Sequence, residues 1–202
     1  MNAFEKALEN YFGADNLKKI QAVKIGIAGL GGLGSNCAFN LVRSGFRKLV
    51  LCDYDVIEPS NLNRQFYFND QLGMPKVEAL KTNLLRINSN LELEMNEIKL
   101  DNENIGNIFS SCSIVVEALD KAEHKKIMAE EFGKSGKLFV SASGLAGWGK
   151  SDEIKCRQIS ASFYLIGDGK TEASSQKPPC SPRVNIAAAK QADMILEWVL
   201  SQ

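Results

Sequence analysis

Apolar positions along the chain switch between a helical and a strand period, and the switches come in a regular order. Phe4, Ala7, Leu8, Tyr11 and Phe12 recur at helical spacing, which predicts an amphipathic helix over residues 3 to 12. Val23 to Ala28 is an apolar run that leads into glycines, as a buried strand would. A helix is expected from Ser35 to Ser44 with Gly45 at its C-terminal cap, then a strand from Lys48 to Cys52. Residues 56–74 are polar and aperiodic, a length that marks a functional or mobile connection. Pro75 then starts a helix whose buried face is Val77, Leu80, Leu84 and Ile87. Leu91, Leu93 and Met95 alternate with polar residues, as in a half-exposed strand.

A short helical segment is expected between Glu103 and Phe109, and a buried strand from Ile114 to Leu119 that ends at Asp120. A helix rich in Lys, Glu and Met follows, then a strand at Leu138 to Ala142. Strands alternating with helices predict an α/β fold with a Rossmann-like, doubly wound, mostly parallel sheet and right-handed crossovers. Beyond Gly144 the character changes. Ile154 to Ile159 and Phe163 to Ile166 read as short strands forming an antiparallel extension, and Gly167 to Pro179 reads as a mobile surface loop. The last helix is expected to have Ser181 as N-cap and Pro182 as its first residue, with Val184, Ala188, Ala192, Ile195 and Val199 as its apolar stripe. Residues 1–202 form a single domain in this reading: an N-terminal helix (1–20), a nucleotide-binding core (21–144), and the extension, loop and final helix (145–202).

Composition narrows the function classes. Lys plus Arg and Asp plus Glu balance at 24 each, so no global field draws the chain to nucleic acid or an anionic membrane. No apolar stretch reaches the length of a membrane span, and the N-terminus lacks the pattern of a signal peptide. The five cysteines are scattered with no Cys-x-x-Cys pair, and His124 is the only histidine. Those facts argue against a structural zinc site, a disulfide scaffold and a Ser-His-Asp hydrolase, and they point to a reducing cytoplasm.

The chemistry is concentrated in three places. Gly29, Gly31, Gly32 and Gly34 lie between a strand and a helix, where the backbone can approach a phosphate and the helix dipole favours its charge. Asp53 ends the next strand, positioned to accept hydrogen bonds from ribose hydroxyls, with Asp55 two residues on. On these residues alone NAD, FAD, S-adenosylmethionine and ATP all fit. Arg64 and Lys76 discriminate further, because a triphosphate under cleavage develops charge that such cations stabilise, with Asn61 and Gln65 as neutral donors. Asp120 can hold Mg²⁺ against the phosphates or can cap the following helix, and spacing does not choose between these.

Taken together, the glycine run, Asp53-x-Asp55, Ser60-Asn61-Leu62-Asn63-Arg64-Gln65, Pro75-Lys76 and Asp120 resemble the ThiF/MoeB/HesA family, bacterial relatives of ubiquitin-activating enzymes. The resemblance implies ATP-dependent adenylylation of the C-terminal glycine of a small ubiquitin-like sulfur carrier ending in Gly-Gly, with release of pyrophosphate. It assigns Asp53 to the ribose, Asn61, Arg64, Gln65 and Lys76 to the phosphates, Asp120 to Mg²⁺, and a homodimer to the assembly. The short form with Cys180-Ser181-Pro182-Arg183-Val184 is most similar to the subgroup serving thiamine biosynthesis, and Cys180 becomes the candidate for sulfur transfer. Other readings of the same residues are a molybdopterin-type carrier, activation of a tRNA base, an NAD-dependent oxidoreductase, or a nucleotide-binding scaffold without turnover. Three features depart from the family pattern: the absent Cys-x-x-Cys pairs, Lys121 where asparagine is usual, and an N-terminal helix whose cations are lysines, the first arginine being Arg43.

Overall fold

The computed structural model describes all 202 residues as seven helices around one seven-stranded sheet. In chain order these are α1 (Ala3–Phe12), α2 (Ala14–Ala22), β1 (Lys24–Ala28), α3 (Gly32–Arg43), β2 (Lys48–Cys52), α4 (Lys76–Leu85) and β3 (Glu92–Asn96). There follow α5 (Ile105–Ile108), β4 (Ile114–Glu117), α6 (Ala122–Phe132), β5 (Leu138–Ala142), β6 (Lys155–Ser160), β7 (Phe163–Gly167) and α7 (Ser181–Leu200). Strand order is β3-β2-β1-β4-β5-β7-β6, and every neighbouring pair is parallel except β6 with β7. The expected doubly wound sheet is present. Of the C-terminal strands, β7 continues the parallel sheet beside β5 and only the edge strand β6 runs antiparallel.

Both faces of the sheet are covered, which is why its central strands are apolar without alternation. Ile25 and Ile27 of β1 face a large core with α3, α4 and α7, whereas Ala28 faces a smaller one with Phe109, Met128, Phe132 and Phe139. Gly26 lies under Phe109: a methyl group there would fall 2.4 Å from the ring. Helix α3 ends in a Schellman motif. Gly45, at φ +100°, donates its N–H to Val42 O, and Phe46 donates to Leu41 O, both at 3.1 Å.

Several boundaries differ from the sequence expectation. Helix α3 starts at Gly32, three residues earlier than Ser35, because the glycines themselves make the first turn. Helix α2 was not expected; only Leu17 and Ile20 are buried on it, too few to show a stripe. Strand β4 stops at Glu117, so Asp120 lies on a loop beyond it. The long connection contains two 3₁₀ turns, Pro59–Asn61 and Asn69–Gln71, and is closed by pairing of Val56 with Pro75. Cys180 is the N-cap of α7, since its carbonyl accepts from Val184 N at 3.2 Å, and Ser181 is already helical.

Candidate functional site

The carboxyl ends of β1, β2 and β4 meet where the strand order reverses, the position at which open α/β sheets bind ligands. A cleft of about 730 Å³ opens there. Gly29, Gly31, Gly32, Asp53, Asp55 and Asn61 line it, as do Arg64, Gln65, Lys76 and Asp120. Gly34 does not. It is buried beneath the loop, where a methyl group would lie 1.8 Å from Gly29 O, so its lack of a side chain serves close packing. Cys180 is also absent from the lining; its neighbour Pro179 is present.

The glycine loop is braced from both sides. Leu30 N donates to Asp53 Oδ2 at 2.6 Å, and Asp55 N donates to Asp53 Oδ1 at 2.8 Å. Asp53 therefore closes the turn after β2 and fixes the loop after β1, while an ionised carboxylate with about four acceptor sites retains capacity for two more donors. Ser35, Asn36 and Tyr67, which sequence reasoning missed, tie the loop to the segment carrying Arg64. Ser35 Oγ donates to Gly31 O at 2.6 Å and accepts from Phe66 N at 3.0 Å. Asn36 Nδ2 donates to Arg64 O at 2.8 Å, and Tyr67 O–H donates to Leu30 O at 2.8 Å. Their one signal in sequence is polarity at positions flanking the motif.

Gly31 is open. The nearest atom to a methyl group placed there would be Gln65 Nε2 at 3.8 Å, so packing within the chain does not account for the missing side chain. Gln65 itself is buried with its Oε1 unpartnered. The amide Nε2 on the Gly31 side is a donor suited to a phosphate oxygen, whereas the buried Oε1 is an acceptor that a phosphate cannot satisfy.

Lys76 and Arg64 are held differently. Lys76 is buried, with Nζ 2.7 Å from Asp55 Oδ2 and 4.0 Å from Asp53 Oδ1. Burial pushes the Asp53 carboxyl upward, and Lys76 with the two backbone donors offsets part of that rise. Burial beside Asp53 pushes the Tyr67 phenol up as well. Arg64 is half-exposed and donates only to neutral oxygens, Ser60 O at 3.1 Å and Asn63 Oδ1 at 2.8 Å. Its charge faces the cleft without a carboxylate.

Asp120 makes no hydrogen bond or ion pair and does not cap α6, whose N-cap is Lys121. Its loop is positioned from below by Glu117, a fully buried carboxylate hidden in an apolar run. Glu117 accepts from Lys125 Nζ at 2.9 and 3.1 Å and from Leu119 N at 2.7 Å, and Lys125 also donates to Ala142 O at 2.9 Å. No three His, Cys, Asp or Glu side chains converge as a metal cluster. Of the aspartates lining the cleft, Asp53 and Asp55 are already paired and Asp120 is not, so Asp120 would be the one to hold an Mg²⁺ bound mainly by substrate phosphates and water.

The profile of the ThiF family matches residues 5–197. The chain belongs to the ThiF family. Among curated relatives, the molybdopterin-synthase adenylyltransferase of Haemophilus influenzae is 39% identical over 110 residues, 54% of this chain and 45% of that protein. A ubiquitin-like modifier-activating enzyme 5 from Caenorhabditis briggsae is 35% identical over 84% of this chain and 39% of its own length. The chain thus spans less than half the length of these curated relatives. In fold it is similar to the Escherichia coli tRNA N6-threonylcarbamoyladenosine dehydratase TcdA solved in complex with ATP, with TM-score 0.89 at 16% identity, covering 97% of this chain and 93% of that one. Escherichia coli MccB solved with ATP gives TM-score 0.73 at 22% identity over 94% of this chain and 61% of that one. With these solved structures the chain shares its fold.

Proposed function

We propose that this protein is an adenylyltransferase that activates the C-terminal glycine carboxylate of a small ubiquitin-like sulfur-carrier protein ending in Gly-Gly, using ATP as substrate, in thiamine biosynthesis. The observation that carries the reading is Arg64, a cation without an acidic partner beside an open glycine cradle. Intact dinucleotides used for hydride transfer need no such charge, whereas a phosphoanhydride under cleavage does. Membership of the ThiF family supports the same chemistry.

In this reading Asp53 receives the ribose, and the backbone at Gly31 and Gly32 cradles phosphate. Lys76, released in part from Asp55, and Arg64 stabilise the charge that develops as a carrier carboxylate oxygen attacks the α-phosphorus. The bond from the α-phosphorus to the bridging oxygen breaks, pyrophosphate leaves with the electron pair, and an acyl-adenylate remains. Asn61 and Gln65 orient the phosphates, and Asp120 would hold Mg²⁺, which supplies further neutralisation when bound. Cys180 is carried as the candidate thiol for the later sulfur transfer. A homodimer and a cytoplasmic location complete the reading; no helix is long and apolar enough to cross a membrane.

The test is ATP–pyrophosphate exchange with a purified Gly-Gly-ending carrier. Exchange that depends on the carrier is expected. Exchange that proceeds without it, or nicotinamide binding without ATP binding, overturns the assignment.

A further inference from the structure

Between β7 and α7 the chain runs along the rim of the cleft as residues 169–180, with Thr171, Glu172, Ala173 and Pro179 facing into it. The segment is mostly exposed and has no regular secondary structure. Its two ends nevertheless meet in a buried ion pair: Arg183 Nη2 donates to Asp168 Oδ2 at 2.6 Å, with side-chain exposures of 5% and 7%. Arg183 lies in the first turn of α7 and Asp168 directly follows β7, so the pair closes a loop around the strap.

The bonds of this pair extend to the neighbouring loop after β5. Asp168 Oδ1 accepts from Lys170 N and Thr171 N, both at 2.8 Å, and Oδ2 accepts from the Thr171 hydroxyl. Arg183 Nη1 donates to Gly149 O at 2.8 Å and Lys150 O at 3.2 Å, reaching the loop after β5 whose Gly144 to Ala146 also line the cleft. Gly144 has φ +81°, and a methyl group on it would fall 2.0 Å from Asp168 Oδ1. At its far end the strap is held against the same loop, Gly147 N donating to Pro178 O at 2.9 Å. Burial by itself would raise the Asp168 carboxyl, but the Thr171, Lys170 and Arg183 donors outweigh it and hold it at about 2, so the pair stays charged in any working buffer.

We propose that Asp168 and Arg183 are positioning residues that clamp the 169–180 strap as a roof over the cleft, and that the roof shields the acyl-adenylate from water until its acceptor arrives. This rests on the adenylylation reading above. An acyl phosphate anhydride is hydrolysed when water reaches its carbonyl carbon, giving the free carboxylate and AMP; a roofed site excludes that water. Arg183 touches no part of the proposed substrate path, so its loss acts through the strap.

The test pairs a structural with a chemical readout on Arg183→Gln, Asp168→Asn and Thr171→Val. The first is cleavage of the Lys170–Thr171 bond by trypsin and of the Glu172–Ala173 bond by a glutamyl endopeptidase, located by mass spectrometry. Cleavage is expected on the order of ten times faster in Arg183→Gln than in wild type, with a smaller rise in Thr171→Val. The second is AMP released per round of carrier-dependent pyrophosphate exchange, expected to rise several-fold while exchange itself falls less than about threefold. Arg183→Lys, which keeps charge but loses the two-pronged contact, should lie between. Cleavage at wild-type rates, or an unchanged ratio of AMP to exchange, overturns the clamp. If Arg183→Gln does not fold, Thr171→Val, which leaves the buried pair intact, decides by the same two readouts. Absence of exchange in wild type would sink the adenylylation reading and the shielding role, while the proteolysis result would still stand or fall alone.

Discussion

Gly31 caps α3 and Gly34 lies in its first turn, yet replacing each with alanine should separate ligand binding from folding. At Gly34 the added methyl would lie 1.8 Å from Gly29 O and 3.0 Å from Gly29 C, backbone atoms that cannot rotate aside. Relief requires the turn or the start of α3 to move by more than about an ångström, and overpacking of that kind costs about 1–3 kcal/mol, more where backbone must shift. In a domain of this size each kcal/mol lowers Tm by roughly 2–4 °C, so Gly34→Ala should melt on the order of 10 °C below wild type. At Gly31 the nearest atom is a flexible amide nitrogen at 3.8 Å, and the backbone at φ −72°, ψ −150° lies just off the extended region, so Gly31→Ala should cost about 1 kcal/mol and roughly 2–4 °C. Its methyl would occupy the space proposed for phosphate. ATP affinity should fall at least about 100-fold, equivalent to about 2.8 kcal/mol. Thermal melts followed by fluorescence and equilibrium dialysis with labelled ATP measure the two effects. Wild-type ATP affinity in Gly31→Ala would refute the cradle, and wild-type melting of Gly34→Ala would refute the packing argument.

Other expectations follow from the same geometry. Arg64→Ala should reduce carrier-dependent pyrophosphate exchange by about two to three orders of magnitude with little change in Tm, because its present partners are neutral and exposed; an exchange rate near wild type removes it from the chemistry. Asp120→Ala should reduce exchange at saturating ATP, with the deficit partly restored by raising Mg²⁺; a loss that ignores Mg²⁺ concentration argues against its assignment to the metal. The Asp168 carboxyl is lowered from 3.8 to about 2, so its contribution, roughly 2 kcal/mol, is present above about pH 4 and lost as pH falls toward 2. Urea denaturation midpoints for wild type should drop over that window more steeply than those of Asp168→Asn, and equal slopes contradict the pairing. Cys180→Ser is expected to lower thiocarboxylate formation on the carrier, and full retention of sulfur transfer excludes that thiol.

Much of the sheet could be read in advance because its strands, buried on both faces, appear as apolar runs between turn residues. The motif residues could be read because polar side chains in an aperiodic stretch have no packing role to explain them. What stayed hidden was hidden for physical reasons. Helix α2 buries just Leu17 and Ile20, and α3 begins on glycines, the residues that ordinarily argue against a helix. Glu117 looked like one polar interruption of a strand, and its lysine and serine partners come from α6 and β5. Gly34 fitted a ligand-binding pattern, but its neighbour is the carbonyl of its own loop. Residues 167–179 had the composition of a free loop, and the arginine that anchors its start is fifteen positions away in another element.

Helix α7 has a bearing on how the molecule is made. It packs along α3 through Ala187, Ala188, Ala192 and Ile195, and Val184 at its start lies against Gly32, leaving 2.9 Å for any methyl group there. The glycine loop is therefore shaped by contacts with a helix far along the chain. Pairings so distant in sequence form late in folding, since the loop they close is long. Without α7 the turn at Gly32 would lack the wall that Val184 supplies to the cleft. A cradle completed in this way depends on the docking of α7 and not on the local turn alone.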